Sequence, residues 1–227
     1  LVLSFPNFNL SFLVFIGFIP LFFAIENKPP LKAFLISYIA GFLFYLGTLY
    51  WLYHVTFIGL VILCSYLALY FGIFGLIFNY FTLHPSPFTL TFIPLAWIFL
   101  ECLQSHLFTG FGWALLGYSQ YKNLPLIQIA DFSGVYGVSF VIMMVNVAIW
   151  HVIARLRSNR SNLKKEIAKP ISNLLLRLLR PIPQGHGACF ARNDRQGILF
   201  LAMTSLVLIA SYTYGFFRLN ERHGSSA

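Results

Sequence analysis

Residues 57–81 read FIGLVILCSYLALYFGIFGLIFNYF, a run of 25 residues without a charged side chain. A helix rises by about 1.5 Å per residue, so this run is long enough to cross the roughly 30 Å hydrocarbon core of a bilayer. Its apolar residues do not alternate as they do in a membrane β-barrel, so the backbone hydrogen bonds are expected within the helix. The run therefore predicts a transmembrane helix.

The rest of the chain repeats this pattern. Hydrophobic residues make up 59% of the sequence and charged residues only 9%, which is typical of an integral membrane protein. The candidate spans are 10–25, 33–53, 57–81, 87–102, 135–152 and 198–217. Residues 1–4 also resemble the end of an earlier span. These patterns predict an all-α polytopic membrane protein, a bundle of about six to seven transmembrane helices.

Local signals mark some of the span ends. Ser86 is placed to cap the fourth helix, and Pro87 would occupy its first position, where a missing N–H costs nothing. Asp131 precedes the fifth span and is expected to cap it. Pro20 and Pro94 fall inside spans, where membrane helices tolerate a kink.

The distribution of charge predicts the orientation. Of the fifteen Lys and Arg residues, twelve fall in connectors on one side of the bundle, ten of them in 153–197. Basic loops are retained in the cytoplasm, so 153–197 is predicted to be cytoplasmic. Residues 104–124 and the C-terminus are then predicted to face outward. The transmembrane domain would cover 1–217, and 218–227 would begin an extracytoplasmic segment.

The net charge of +9 does not indicate a nucleic-acid partner. The basic residues cluster in one connector, where topology control and attraction to anionic membrane lipids explain them. Within it, 173–180 is consistent with either a short interfacial helix or a disordered segment. The three cysteines and six histidines show no ligand spacing, so no metal, cofactor or disulfide is predicted.

The stretch 109–121, TGFGWALLGYSQY, is rich in glycine, aromatic and hydroxyl residues and lies between two apolar segments. Trp113, Tyr118, Ser119 and Gln120 could offer hydrogen bonds to a lipid head group at the depth that aromatic rings prefer. An ordinary aromatic belt with a tight turn is the alternative interpretation.

Glu101 is the second candidate. If the fourth helix continues to about His106, Glu101 lies about five residues before its end, some 7 Å below the surface. An ionised carboxylate at that depth is costly unless it is paired, so such acids are candidates for function. A side chain that reaches the interface, or that is hydrogen-bonded by a neighbouring helix, is the alternative.

Several motifs together resemble the membrane domain of apolipoprotein N-acyltransferase, in the same order along the chain. They are FPNFN at 5–9, GTLYW at 47–51, LE at 100–101, TGFGW at 109–113, LGYSQ at 116–120 and GVYGVSF at 134–140. The resemblance extends from residue 1 to about residue 152. The insertion 153–197 is not recognisable.

The resemblance implies a bacterial inner-membrane enzyme that moves an acyl chain from a phospholipid donor to the N-terminal amine of a diacylglyceryl apolipoprotein. In this family a nitrilase-like extracytoplasmic domain carries a Glu-Lys-Cys triad, whose thiolate forms a thioester. No catalytic residue is assigned in this chain, which is expected to be a fragment without that domain and inactive alone. Cys102, in an apolar setting, is expected to be inert.

Glu101, Trp113, Tyr118, Ser119 and Gln120 are therefore predicted to line the outer approach of the lipid. One departure concerns Gln104, because members of the family commonly have an arginine there, and glutamine has no charge to offer a phosphate. A small transporter or channel subunit, with Glu101 as its coupling carboxylate, is the alternative function. A non-catalytic membrane anchor is another.

Overall fold

The computed structural model describes residues 1–5, 10–84, 88–107, 110–176 and 194–224, with side chains not described in 161–176, 194–199 and 220–224. The described chain is helical and contains no strand, so the predicted all-α class is confirmed. Its α-helices are α1 (Ile19–Ile25), α2 (Pro30–Thr48), α3 (Phe57–Leu83), α4 (Thr89–His106), α5 (Leu124–Ile127), α6 (Ala130–Leu176) and α7 (Asp194–Gly224). Short 3₁₀ helices lie at Val2–Ser4, Ser11–Phe15, Tyr50–His54 and Leu116–Gln120.

All six predicted spans fall on helical segments. Four of these are long and apolar enough to cross a membrane, namely Pro30–Thr48, Phe57–Leu83, Ala130–Arg160 and Phe200–Leu219. The other two are α4, which has 18 residues, and the shorter apolar segment Ser11–Ile25. Helix α6 continues into the basic connector as far as Leu176, whereas 177–180 lie outside the described residues.

The predicted start of α4 is wrong by two residues. Phe88, not Ser86, occupies the N-cap position, and its carbonyl accepts the amides of Thr91 and Phe92 at 3.0 and 2.9 Å. Because that carbonyl is the first acceptor of the helix, the helical turn begins at Thr89. Ser86 and Pro87 lie outside the described residues.

Helices α2 and α3 pack closely along a row of small residues. Ala33, Ser37 and Gly41 follow one another at four-residue intervals on α2, and all three are buried. A Cβ atom at Gly41 would lie 2.5 Å from the Cβ of Phe71, and one at Gly75 would collide with the Ser37 hydroxyl. Small residues of this kind let helix backbones approach in lipid, where association depends on van der Waals contact.

Aromatic side chains fill the centre of the bundle. The indole of Trp97 contacts Phe18, Phe71 and Phe74 edge to face, with ring centroids 4.8–4.9 Å apart. Phe78 packs on the indole of Trp150 at 4.9 Å. Edge-to-face pairs at these distances are favourable for the quadrupoles of the rings, so this cluster joins the N-terminal segment to α3, α4 and α6.

The N-terminal span is broken, and two buried asparagines satisfy the backbone at its breaks. Asn146 of α6 accepts the Phe18 amide at 3.0 Å and donates to the Val14 carbonyl at 2.8 Å. Asn79 of α3 donates to the carbonyls of Ile25 and Lys28 at 3.1 and 2.9 Å, just past α1. Irregular backbone is tolerated at membrane depth only where protein groups satisfy it, so these amides make the break possible.

Replacing Asn146 tests this role. Asn146→Leu leaves the Phe18 amide without an acceptor in a buried site, which should cost about 1–3 kcal/mol of the free energy of unfolding, and the Val14 carbonyl keeps the Gly17 amide at 3.4 Å. We expect a lower thermal unfolding midpoint for the protein purified in detergent. Ile153→Leu, at a more exposed position of the same helix, is the control. Equal midpoints for the two variants would contradict the assignment.

Candidate functional site

The loop between α4 and α5 folds back over the last turns of α4. The Phe111 amide donates to the Gln104 carbonyl at 2.9 Å, and the Gly110 amide donates to the Leu107 carbonyl at 3.0 Å. Gly110 has a φ of 70°, and a Cβ atom there would collide with the Ser105 carbonyl. Glycine is therefore required where the chain reverses direction.

Glu101 lies beneath this loop and is buried, with only 3% of its surface exposed. Its Oε1 accepts the backbone amide of Leu116 at 2.9 Å, while the next amide, that of Gly117, donates to the Ser139 hydroxyl at 2.9 Å. The indole of Trp97 and the hydroxyl of Ser139 also lie close to the carboxyl group. Glu101 thus holds the loop backbone from below. Helix α4 ends at His106, four residues beyond the predicted span 87–102, so Glu101 lies five residues before its end.

The Gln104 side chain is also buried and forms its hydrogen bonds within the protein. Its Oε1 accepts the Tyr45 hydroxyl at 2.8 Å, and its Nε2 donates to the Phe111 carbonyl at 3.2 Å. The side chain is 3% exposed. The amide therefore joins α2, α4 and the loop, and it is not available to a phosphate group.

Ser119 and Gln120, predicted to line a lipid path, are both buried. The Ser119 hydroxyl donates to the Leu116 carbonyl at 2.7 Å, which tightens the 3₁₀ turn. Gln120 donates from Nε2 to the Ser11 carbonyl at 2.9 Å. Its Oε1 accepts a hydrogen bond from the side-chain amide Nδ2 of Asn123 at 3.3 Å. Gln120 therefore anchors the loop to the N-terminal segment, and Ser119 stabilises the turn within the loop.

Trp113 and Tyr118 are the two predicted residues that face outward, with 58% and 47% of their surfaces exposed. Both line a cavity of about 440 Å³ between the loop, the end of α2 and the N-terminal segment. The lining residues are Val2, Phe5, Gly47, Thr48, Leu49, Trp51, Gly112, Trp113, Ala114 and Tyr118. The rings of Trp51 and Trp113 are stacked, with centroids 5.4 Å apart.

The five predicted residues therefore share one loop and its support but fall into two groups. Trp113 and Tyr118 border the cavity, whereas Glu101, Ser119 and Gln120 hold the loop in place. Sequence reasoning did not assign Phe5 or Trp51 to the site. Their signal was that each belongs to one of the motifs that resemble the family, FPNFN at 5–9 and GTLYW at 47–51, and the fold brings Phe5 and Trp51 to the same cavity.

The remaining candidates lie elsewhere. Cys102 is exposed on α4, with its Sγ 3.8 Å from Nδ1 of His106; that nitrogen is also 2.8 Å from the carbonyl of Cys102. Cys102 thus lies on the surface of α4, as helical spacing beside the inward-facing Glu101 dictates. Within the described ranges, no three His, Cys, Asp or Glu side chains form a metal-binding group.

Asp131 does not occupy the capping position that the sequence suggests. It lies in the first turn of α6, and its carboxylate forms an ion pair with Arg218 of α7 at 3.3 Å. The helix breaks at Gly134, which has a φ of 63°, so the span proper starts at Val135 as predicted. The carboxylate of Asp131 can pair with Arg218 because α7 packs against α5 and α6 at this end.

Comparison with known proteins confirms the resemblance read from the motifs. A family model described as the apolipoprotein N-acyltransferase N-terminal domain matches residues 1–148. The apolipoprotein N-acyltransferase of Geobacter metallireducens is 42% identical over 164 residues, covering 67% of this chain and 31% of the relative. That of Rhodopirellula baltica is 33% identical over 169 residues, and that of Pasteurella multocida is 29% identical over 161 residues.

Those last two alignments each cover 67% of this chain, and 29% and 31% of the respective relatives. The aligned part of this chain therefore covers less than a third of the length of each of these three relatives.

A pair of substitutions at Glu101 tests its supporting role. Glu101→Leu leaves the Leu116 amide without an acceptor in a buried site, which should cost about 1–3 kcal/mol of the free energy of unfolding. Glu101→Gln retains an oxygen in that position and should be closer to wild type. Thermal unfolding in detergent and limited proteolysis of the loop would measure the difference. If Glu101→Leu is as stable as Glu101→Gln, the carboxylate does not hold the loop.

Proposed function

This chain belongs to the apolipoprotein N-acyltransferase family, and on that premise we propose that it is the membrane domain of an enzyme of lipoprotein maturation. The reaction would transfer an acyl chain from a phospholipid to the amine of the N-terminal diacylglyceryl cysteine of an apolipoprotein. The match to the family's N-terminal domain over residues 1–148 carries the proposal. The aromatic cavity beside the loop supports it, because it offers an apolar site to a lipid.

We place the covalent step of the reaction in a part of the enzyme other than the membrane domain described here. The family resemblance implies a nucleophilic cysteine with a neighbouring base, which would split one acyl transfer into two easier steps. Cys64 is buried in α3 and Cys102 lies on the surface of α4, away from the cavity lining. The much greater length of the relatives supports a separate catalytic region.

The proposed location is the bacterial inner membrane, with the cavity at the outer face. The distribution of Lys and Arg supports this orientation, since 153–197 holds ten of them and would remain in the cytoplasm. Residues 104–124 and the end of α7 would then face outward. The ion pair of Asp131 and Arg218 lies at the same end as the loop, close to the point where α7 would leave the membrane.

Within this scheme the five predicted residues have two roles. Trp113 and Tyr118 would contact the approaching lipid, because they are exposed at the cavity. Glu101, Ser119 and Gln120 would act as positioning residues, since their side chains hold the loop that carries the aromatic rings. The diacylglyceryl apolipoprotein would be the acceptor partner.

The transporter, channel and anchor alternatives are not favoured by the family assignment. A transporter would need Glu101 to face a transport path near the bilayer centre. The carboxylate is instead bound to the loop backbone near the end of α4.

Acyl transfer by the full-length gene product in bacterial membranes tests the proposal. Trp113→Ala and Tyr118→Ala should each lower kcat/KM for the phospholipid by about tenfold, equivalent to about 1.4 kcal/mol of lost contact. Phe132→Ala, which removes a ring that is 74% exposed and away from the cavity, is the matched control. Activity at the wild-type level in both cavity variants would remove these residues from the lipid path.

Cysteine labelling tests the orientation separately. Lys122→Cys and Arg160→Cys introduce thiols at two exposed positions near opposite ends of the span that starts at Val135. In intact cells whose outer membrane has been permeabilised, a membrane-impermeant maleimide should label residue 122 and spare residue 160. The reverse pattern would invert the proposed topology.

A further inference from the structure

The 3₁₀ helix Leu116–Gln120 ends on a side-chain amide whose groups all have partners. The Nε2 of Gln120 donates to the Ser11 carbonyl at 2.9 Å and to the Ser119 hydroxyl at 3.2 Å. Its Oε1 accepts a hydrogen bond from Nδ2 of Asn123 at 3.3 Å. A primary amide has two N–H donors and one carbonyl oxygen, and each of them is used here. The position of this turn therefore depends on Asn123 as well as on the N-terminal segment.

Asn123 connects the turn to α7 instead of capping its own helix. It occupies the N-cap position of α5, where the side chain of asparagine usually accepts a backbone amide of the first turn, yet it forms no capping bond. Its Nδ2 donates to the Tyr212 hydroxyl at 2.8 Å. Because one amide carries two N–H groups, it can serve Tyr212 and Gln120 at the same time. A single side chain thus joins α7 to the loop.

Two further contacts hold the same end of α7 against residues 123–131. Gly215 lies about one turn beyond Tyr212, and a Cβ atom there would collide with the backbone of Pro125. About one turn further along, Arg218 pairs with Asp131 at 3.3 Å. Neither contact involves the Tyr212 hydroxyl, so α7 should remain docked when that hydroxyl is removed. The hydrogen bond to Asn123 can therefore be tested by itself.

Helix α7 lies outside the part of the chain that the family model matches. That match ends at residue 148, whereas α7 begins at Asp194. Gln120 belongs to a motif within the match, and Tyr212 does not. The contact from α7 to the loop is therefore a feature of this chain that the family assignment does not supply.

We propose that Tyr212 and Asn123 are positioning residues through which α7 holds the turn 116–120 and, with it, Tyr118 at the cavity. Tyr118 lies two residues before Gln120 in the same 3₁₀ helix, so a looser Gln120 also loosens the ring that borders the cavity. The effect on the reaction rests on the proposed function, whereas the effect on the turn does not. Loss of the bridge should weaken binding of the phospholipid without slowing the chemical step.

Hydrogen exchange of the full-length protein in nanodiscs tests the bridge without requiring turnover. Tyr212→Phe removes one oxygen atom from α7 and should speed exchange of the backbone amides in 114–121 about threefold, the effect expected for one lost hydrogen bond. Tyr214→Phe removes the same atom two residues along α7 and leaves the bond between Tyr212 and Asn123 intact. This matched control should exchange like the wild type. Unchanged exchange in Tyr212→Phe would overturn the proposal.

A double-mutant cycle tests whether α7 acts through Asn123. Asn123→Ala should speed exchange in 114–121 at least as much as Tyr212→Phe, because it also frees Gln120. Adding Tyr212→Phe to Asn123→Ala should then have no further effect. Effects that multiply in the double variant would mean that α7 reaches the turn by another route, and they would overturn the role of Asn123.

The kinetics of acyl transfer separate positioning from a loss of stability. In the full-length protein, Tyr212→Phe should raise KM for the phospholipid about threefold and leave kcat unchanged. Partial unfolding would instead lower the active fraction, and hence kcat, at an unchanged KM. Tyr214→Phe should match the wild type in both constants. A lower kcat with an unchanged KM in Tyr212→Phe, or no change in either constant, would overturn the positioning role.

The two measurements also separate this inference from the proposed function. If the wild-type full-length protein transfers no acyl chain, the proposed function fails, and hydrogen exchange still decides whether α7 holds the turn. If it transfers acyl chains and Tyr212→Phe matches it in both KM and exchange, the enzyme is supported and this inference is overturned.

Discussion

Where a helix breaks within the hydrocarbon, the protein itself must satisfy the freed backbone groups, because lipid tails offer no hydrogen bonds. Asn146 and Asn79 meet this requirement at the N-terminal span, where they bind the amide and carbonyl groups that flank α1. Glu101 and Ser139 meet it at the loop after α4, where they accept two consecutive amides. These buried polar side chains determine where irregular backbone can exist, and irregular backbone forms the candidate site.

The same constraint explains why the loop can present aromatic rings in a defined position. Gln104 ties the loop to α2 and α4, and Gln120 ties it to the N-terminal segment. With the backbone held from several sides, Trp113 is free to stack on Trp51 at the mouth of the cavity. The polar residues that looked most like ligand groups support the loop, and the aromatic rings line the cavity.

The last helix, α7, contacts the other helices through polar side chains at one end. Asn123 donates to the Tyr212 hydroxyl at 2.8 Å, and Arg218 pairs with Asp131 three residues beyond Gly215. A Cβ atom at Gly215 would collide with the backbone of Pro125, so α7 can approach α5 only through a glycine. The position of α7 is therefore coupled to the short helix that follows the loop, since Asn123 also contacts Gln120.

Composition and uninterrupted apolar length were enough to predict the all-α membrane class and the positions of six helical segments, because the bilayer imposes a length on each span. Six motifs in the same order along the chain, among them those at 109–113 and 116–120, indicated the family. Which candidate residues hold the loop and which border the cavity was not predictable, because Glu101 and Trp113 are both plausible lipid contacts in a linear sequence. Only the tertiary structure turns Glu101 toward the Leu116 amide, pairs Asp131 with Arg218, and brings Phe5 and Trp51 to the cavity. Local sequence patterns encode length and polarity, whereas the partner of a buried polar group depends on which distant backbone reaches it.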